Sequence, residues 1–434
     1  MKKKIVVMML AACMTATVFA GCGNQQPVQT ETTAPEKEEQ KQPEEETTTD
    51  MQEETTAETD TDETAEEADV TEETEEMSDQ AKADEVAELI DAIYVEERTD
   101  TTDDDCAAAK AAWEALTDEQ KELVEGEDAD PDYFGRDTGD ASLDDPRNAD
   151  EIGEKEILVV SFGTSFNDSR AKDIGGIEKT IEAAFPDWSV RRAFTAQIII
   201  NHVQAREGER IDNMEQALDR AVANGVKELV VQPTHLMHGA EYDEMVETVE
   251  KYADKIEKIY ISEPLLGEVG ADADSVNGDK MDVCLAVVNQ TVDDSDYDTL
   301  MDMDDDGTAI VYIGHGTSHT AKVTYSQMQK QMEMLSYKNV FVGTVEGEPE
   351  DTACENIIDK VHEAGYTKVI MRPLMVVAGD HANNDMAGDD EDSWKSMFDA
   401  SGYFEKLDMQ IAGLGRIQQV EEKYVDHIND VLGE

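Results

Sequence analysis

Two histidines and one glutamate in the second half of this chain have the residue types and settings to hold a divalent cation or move a proton. His315 stands in Gly314-His315-Gly316-Thr317-Ser318-His319, directly after the apolar run Ala309–Ile313. Glycines on both sides let the backbone turn tightly and let a ligand approach. His381 stands in Gly379-Asp380-His381-Ala382-Asn383-Asn384-Asp385-Met386, where an apolar run from Pro373 to Ala378 gives way abruptly to polar side chains. Asp380 or Asp385 is placed to orient the imidazole and fix its tautomer. Glu346, in Gly343-Thr344-Val345-Glu346-Gly347-Glu348-Pro349, is a candidate third ligand or general base. Two imidazoles and a carboxylate without cysteine suit Co2+, Fe2+, Ni2+ or Zn2+. Ligands drawn from separate strand ends make an open site rather than a closed structural one.

The elements that must position these residues occur twice. Ile157-Leu-Val-Val-Ser-Phe162-Gly163-Thr164-Ser165 recurs as Ala309-Ile-Val-Tyr-Ile-Gly314-His315-Gly316-Thr317-Ser318, and Gly225-Val-Lys-Glu-Leu-Val-Val-Gln-Pro233 recurs as Gly365-Tyr-Thr-Lys-Val-Ile-Met-Arg-Pro373. At matched positions Phe162 becomes His315 and Glu241 becomes His381, so the duplication carries one site, in its second half. Apolar runs alternate with amphipathic stretches from Glu156 onward. Strands are predicted at 157–161, 189–193, 228–232, 258–261, 309–313, 339–343, 368–372 and 409–412. Helices are predicted at 169–184, 195–207, 213–223, 240–252, 275–292, 320–335, 350–364, 393–401 and 417–432. Nearly continuous apolar strands between helices imply an α/β fold: two similar doubly wound parallel-sheet halves, 156–300 and 301–434, with a cleft between them. Ligands of such sheets bind beyond the carboxyl ends of the strands, where His315, Glu346 and His381 fall. His235 and His238 occupy the equivalent bend of the first half and are candidates for the opposite wall. Gly163-Thr164-Ser165 offers backbone N–H groups, but no Walker A loop and no G-x-G-x-x-G pattern is present, which disfavours nucleotides.

The 434 residues include 103 acidic and 35 basic side chains, a net charge of -68. That balance excludes a nucleic-acid partner, which needs Lys and Arg surfaces. Much of the acid lies in residues 23–80, rich in Glu, Asp, Thr, Gln and Pro; such a stretch cannot bury enough surface to fold and reads as a disordered tether. Before it, Lys2-Lys3-Lys4, an apolar run from Ile5 to Ala20 and Gly21-Cys22 read as a signal peptide over 1–22 ending in a bacterial lipobox. Cys22 would then be lipidated and would anchor an extracytoplasmic protein to the membrane. Helical spacing at 81–126, with a capping-box-like Thr117-Asp118-Glu119-Gln120, predicts a small helical spacer module. Residues 127–155 read as an ordered or semi-ordered linker. Cys106, Cys284 and Cys354 are widely separated and form neither a metal motif nor a disulfide framework.

Residues from about 156 to 434 resemble the anaerobic sirohydrochlorin cobaltochelatases, within the class II chelatases that also include ferrochelatase. The resemblance rests on Val159-Val-Ser-Phe-Gly-Thr-Ser165, Arg192-Ala-Phe-Thr195, Val231-Gln-Pro233, Gly314-His-Gly-Thr-Ser318, Pro373-Leu-Met-Val-Val-Ala-Gly-Asp-His-Ala382 and Asn384-Asp-Met386. It implies a tetrapyrrole cleft, catalytic histidines at His315 and His381, and a metal held by His315, Glu346 and His381 above the macrocycle. One imidazole would help to remove pyrrole N–H protons. The implied activity is insertion of Co2+, with Fe2+ or Ni2+ as alternatives, into sirohydrochlorin in anaerobic cobalamin biosynthesis. The substrate's carboxylates need cationic or N–H partners, for which Arg191, Arg192, Lys322 and His235 are the candidates, with Arg372 a further cation. Self-association into a homo-oligomer is compatible with these features. The export signal and tether depart from the compact cytoplasmic enzymes of the family. They support a second expectation, a surface lipoprotein that binds haem, another tetrapyrrole or a metal without turnover.

Overall fold

The computed structural model describes residues 78–433, and the signal peptide, Cys22 and nearly all of the acidic tether lie outside them. The chain divides between Glu73 and Thr74 into two units, of which the second holds every described residue. Its helices are α1 (Asp79–Ile93), α2 (Thr102–Ala115), α3 (Asp118–Lys121), α4 (Asn167–Ser169), α5 (Gly175–Ala184), α6 (Gln197–Glu207), α7 (Met214–Asn224), α8 (Ala240–Glu250), α9 (Gly278–Asp293), α10 (Leu300–Asp305), α11 (Val323–Met334), α12 (Cys354–Glu363), α13 (Trp394–Ser401) and α14 (Gln418–Leu432). Its strands are β1 (Lys155–Ser161), β2 (Ser189–Phe194), β3 (Glu228–Pro233), β4 (Lys258–Ile261), β5 (Thr308–Gly314), β6 (Val340–Thr344), β7 (Lys368–Pro373) and β8 (Lys406–Met409).

The strands form two parallel sheets of matching order, β2-β1-β3-β4 and β6-β5-β7-β8. Both faces of each sheet are covered, as the continuous apolar runs require. On β1, Ile157 and Val159 enter one cluster while Leu158 and Val160 enter another. On β5, Ile310 and Tyr312 join the first of these clusters, and Ala309, Val311 and Ile313 form part of a separate one. Each fully buried aliphatic side chain of this kind contributes about 1.5–3 kcal/mol of transfer free energy. The central cluster therefore belongs to both halves. The halves also exchange elements: α14 returns to pack on α5, β3 and β4, and α9 packs against α11. The division expected at 300/301 is thus bridged in both directions.

Local signals set many element ends. Asn213 caps α7 reciprocally with Gln216, and Gly225 closes that helix at φ 75°. The capping box of Thr117 and Gln120 forms. The last strand departs from expectation, at 406–409 rather than 409–412. It is an edge strand pairing Lys406 with Lys368 and Met409 with Met371, and an edge strand needs no continuous apolar run. Helix α10, six residues long, is too short to show a helical period, and two π-type turns, Arg170–Ile174 and Ala382–Met386, were not foreseen.

The helical module is docked on the first half, through α6. Ala205 shares a core with Ile90, Cys106 and Trp113, and Asn201 Nδ2 donates to the Ile93 carbonyl at 2.9 Å. The linker is equally bound. Asp144 accepts from Arg170 Nε at 2.7 Å and from Arg192 Nη1 at 2.8 Å, and the Thr138 carbonyl accepts from the Asp168 N–H at 2.8 Å.

Candidate functional site

Three adjacent strands, β6, β5 and β7, deliver Glu346, His315 and His381 at their carboxyl ends. Beyond β5 and β6 the pairing continues into the loops. The Val345 N–H donates to the Gly314 carbonyl at 2.9 Å, and the Glu346 N–H donates to the His315 carbonyl at 2.8 Å. Gly316 permits this approach. It sits at φ 94°, and a Cβ there would lie 2.8 Å from the Glu346 Cβ. Gly314 is hemmed in by the Tyr325 ring, whose hydroxyl accepts from the Gly316 N–H at 3.1 Å. The His381 loop is tied to the first half: Ser169 Oγ donates to the Ala378 carbonyl at 2.6 Å, and the Ala378 N–H donates to Asp173 at 2.9 Å.

The His315 and His381 rings meet edge to face with centroids 4.3 Å apart, and His315 Nε2 is 4.0 Å from Glu346 Oε1. His315 Nδ1 faces the Gly316 carbonyl at 2.8 Å, and His381 Nδ1 faces Asp385 Oδ2 at 2.6 Å. Both partners are acceptors, so each Nδ1 carries its hydrogen and each Nε2 presents a lone pair. The two imidazoles differ in basicity. Burial, followed by the neighbouring His381 charge, lowers the pKa of His315. Burial also pulls on His381, but the Asp385 hydrogen bond and the charges of Asp385, Asp380 and Glu346 outweigh it and raise its pKa. Paired groups whose environments push their pKa values apart can divide metal binding from proton transfer. All three side chains are about half-exposed, and among the described residues no three His, Cys, Asp or Glu side chains close into a metal cluster. The three side chains form an open set of two imidazoles and a carboxylate at the strand ends.

The other expected contacts sort differently. Lys322 lies in a short turn after His319 and pairs with Glu348 at 2.7 Å, on the loop that carries Glu346. His319 reaches across to Asp243 of the first half, 3.6 Å away. His238 pairs with Glu263 at 2.5 Å. His235 is buried, its ring nitrogens have no hydrogen-bond partner among the described residues, and burial pushes its pKa down to about 4. Arg191 and Arg192, expected to meet substrate carboxylates, are instead sealed in the interior. Arg191 is bound to Glu156 at 2.7 Å, and Arg192 to Glu178 at 2.7 Å and Asp144 at 2.8 Å. A guanidinium removed from water must be paired where it lies, so neither is free for a ligand. Arg372 is likewise buried, against Asp294 at 2.6 Å.

Two first-half residues were noted in the sequence only as the partners of the histidines in the repeat. Phe162 is 46% exposed at the carboxyl end of β1, offering an apolar surface. Glu241 has its pKa raised, by burial and then by the Glu244 charge, and its own charge acts on Tyr325 beneath the His315 loop. The signal that could have found them was the duplication itself, since Phe162 and Glu241 stand where the second half has His315 and His381.

Residues 155–433 match the family described as Cobalt chelatase (CbiK). The chain is 34% identical over 279 residues to the "Sirohydrochlorin cobaltochelatase" of Salmonella typhimurium, covering 64% of this chain and 97% of that protein. It is 28% identical over 251 residues to "Sirohydrochlorin cobaltochelatase CbiKC" of Nitratidesulfovibrio vulgaris, covering 57% of this chain and 81% of that one. Among solved structures, "SirB from Bacillus subtilis with Fe3+" matches 64% of this chain and 96% of its own, with a TM-score of 0.41 and 14% identity. With its duplicated parallel sheets, its paired imidazoles and a family match running from β1 to the end of α14, this chain belongs to the cobalt chelatase (CbiK) family.

Proposed function

We propose that this protein inserts Co2+ into sirohydrochlorin, acting as a metal chelatase in anaerobic cobalamin biosynthesis. The observation that carries the reading is the convergence of His315, Glu346 and His381 at the carboxyl ends of three adjacent strands, within a chain of the cobalt chelatase family. In this reading the imidazole Nε2 atoms and the Glu346 carboxylate replace water around the incoming cation. Insertion releases two pyrrole N–H protons as the metal forms bonds to the ring nitrogens. As the cation passes to the ring nitrogens it frees the Nε2 of His381, and this more basic imidazole takes the two pyrrole protons one after the other and passes each to solvent, while His315 stays neutral and donates its lone pair to the metal. Phe162, exposed at the carboxyl end of β1, supplies a flat apolar surface for the macrocycle. Fe2+ and Ni2+ are alternative substrate metals for the same donor set.

An absorbance time course with the full-length chain, sirohydrochlorin and Co2+ tests the reaction. Turnover above the spontaneous rate, lost in His315→Ala, is expected. Normal turnover in that variant would sink the assigned roles.

The N-terminal sequence supports an anchored, extracytoplasmic form lipidated at Cys22. A Cys22→Ala variant is expected to leave the membrane fraction, and unchanged membrane association would refute lipidation there. That same export signal favours a second reading, a surface tetrapyrrole or metal binder without turnover. It predicts stoichiometric spectral change with no insertion.

A further inference from the structure

We infer that Arg136 is a specificity-determining residue that pairs with a substrate carboxylate at the rim of the site. The inference rests on the tetrapyrrole reading given above. Arg136 lies before the family-matching residues 155–433, on the segment that joins the helical module to β1.

The argument begins with a shortage of cations. A carboxylate-rich macrocycle must approach a rim that already carries Glu346, Asp380 and Asp385. Arg191, Arg192 and Arg372 are buried and paired, and Lys322 is held by Glu348. Arg136 is different. It is 35% exposed, and its guanidinium makes two long ion pairs, 3.7 Å to Asp380 and 3.8 Å to Asp132. Both exceed hydrogen-bond distance, and no hydrogen bond of that guanidinium is formed among the described residues. Its donor fork is therefore uncommitted, beside the residue that immediately precedes His381.

The position is also rigid. The Arg136 N–H donates to the Asp132 carbonyl at 3.0 Å. Tyr133 stacks on His202 with centroids 4.1 Å apart, and Phe134 packs edge-on to Trp113 at 5.5 Å. Asp380, 64% exposed, is itself held by Asn384 at 2.7 Å. The backbone that carries Arg136 is held in this way, and its planar guanidinium matches a carboxylate in two-point contact, which an exposed ion pair at 3.7 Å does not exploit. The segment between the helical module and β1 thus presents a cation beside Asp380 from outside the family-matching residues.

The test uses the full-length chain. R136Q is expected to weaken metal-free sirohydrochlorin binding, read by fluorescence titration, by about 10-fold, the size of one charge-assisted contact. The KM for sirohydrochlorin should rise in parallel, with the KM for Co2+ and kcat within about twofold of wild type. R136K, which keeps the charge and loses the fork, should fall between. A porphyrin with few carboxylates should lose much less affinity than sirohydrochlorin in R136Q. Unchanged sirohydrochlorin affinity in R136Q, or equal losses for both tetrapyrroles, overturns the inference. If R136Q loses its thermal transition, R136K decides alone, since wild-type affinity there removes any role for the fork. Wild-type insertion with unaffected R136Q binding defeats only this inference. Weakened R136Q binding in a protein that never inserts cobalt defeats only the chelatase reading.

Discussion

His315 and His381 are the same side chain with different basicity: burial and the His381 charge lower the one, while Asp385, Asp380 and Glu346 outweigh burial and raise the other. His315 leans on the neutral Gly316 carbonyl, whereas His381 leans on the Asp385 carboxylate. Replacing Asp385 by Asn removes that negative charge and lets the ring turn. Cobalt insertion is expected to fall about 10–100-fold with little change in melting temperature. A rate within twofold of wild type would show that the contact does not orient the base. Gly316→Ala tests the geometry beneath Glu346. Left-handed backbone and the 2.8 Å approach to Glu346 Cβ predict a loss of about 1–2 kcal/mol in stability, measured by denaturant unfolding, with a steeper loss of insertion rate. The histidines were legible in the sequence because they break an otherwise matching repeat. Asp385 was legible only as one of two alternatives, since the choice between it and Asp380 depends on the π-type turn that brings residues 381 and 385 together.

Strands and their loops were read from apolar runs, and those ends carry the candidate site. What the runs could not report was the charge in the interior. Arg191 and Arg192 look like surface cations in a list of residues. The parallel register sets Arg191 beside Leu158 on β1, within reach of Glu156, and α5 brings Glu178 over Arg192. Replacing Arg192 by Gln leaves Glu178 and Asp144 without their shared buried partner. Because Arg147 still faces Glu178 and Arg170 still faces Asp144, it should cost about 1–3 kcal/mol of stability in denaturant melts, while the remaining folded protein binds sirohydrochlorin with wild-type affinity. A folded, stable variant with weakened binding would return Arg192 to the substrate. β8 was placed late in the sequence for a related reason: an edge strand keeps one flank unpaired and carries Lys406 and Asp408 without penalty.

On the scale of the molecule, α9 and α14 pack each half against the other, and acid should weaken the whole. Burial holds His235 down to about 4 and His202 down to about 3, while an unfolded histidine titrates near 6.5. Below about pH 6.5 the unfolded chain therefore binds protons that the folded chain refuses. Stability falls with pH from there toward the folded pKa of each ring. Near pH 5 each ring accounts for roughly 2 kcal/mol of the loss. Urea melts at pH 7 and pH 5 should show this slope, and His235→Phe should flatten it. An unchanged slope would mean that burial does not depress the His235 pKa in the folded state.

The order of apolar runs, turn residues and repeats determined by itself that this is a duplicated parallel α/β protein with histidines in one half only. Those features follow from periodicity and backbone sterics, which act over a few residues. Tertiary structure decided which cations are consumed in the interior, which carboxylate serves His381, and that the helical module lies against the first half. Each of these depends on pairs far apart in the chain, Arg136 with Asp380 and Ser169 with Ala378 among them. Charge pairing and burial are properties of neighbours in space, and only the packed sheets and exchanged helices bring those neighbours together.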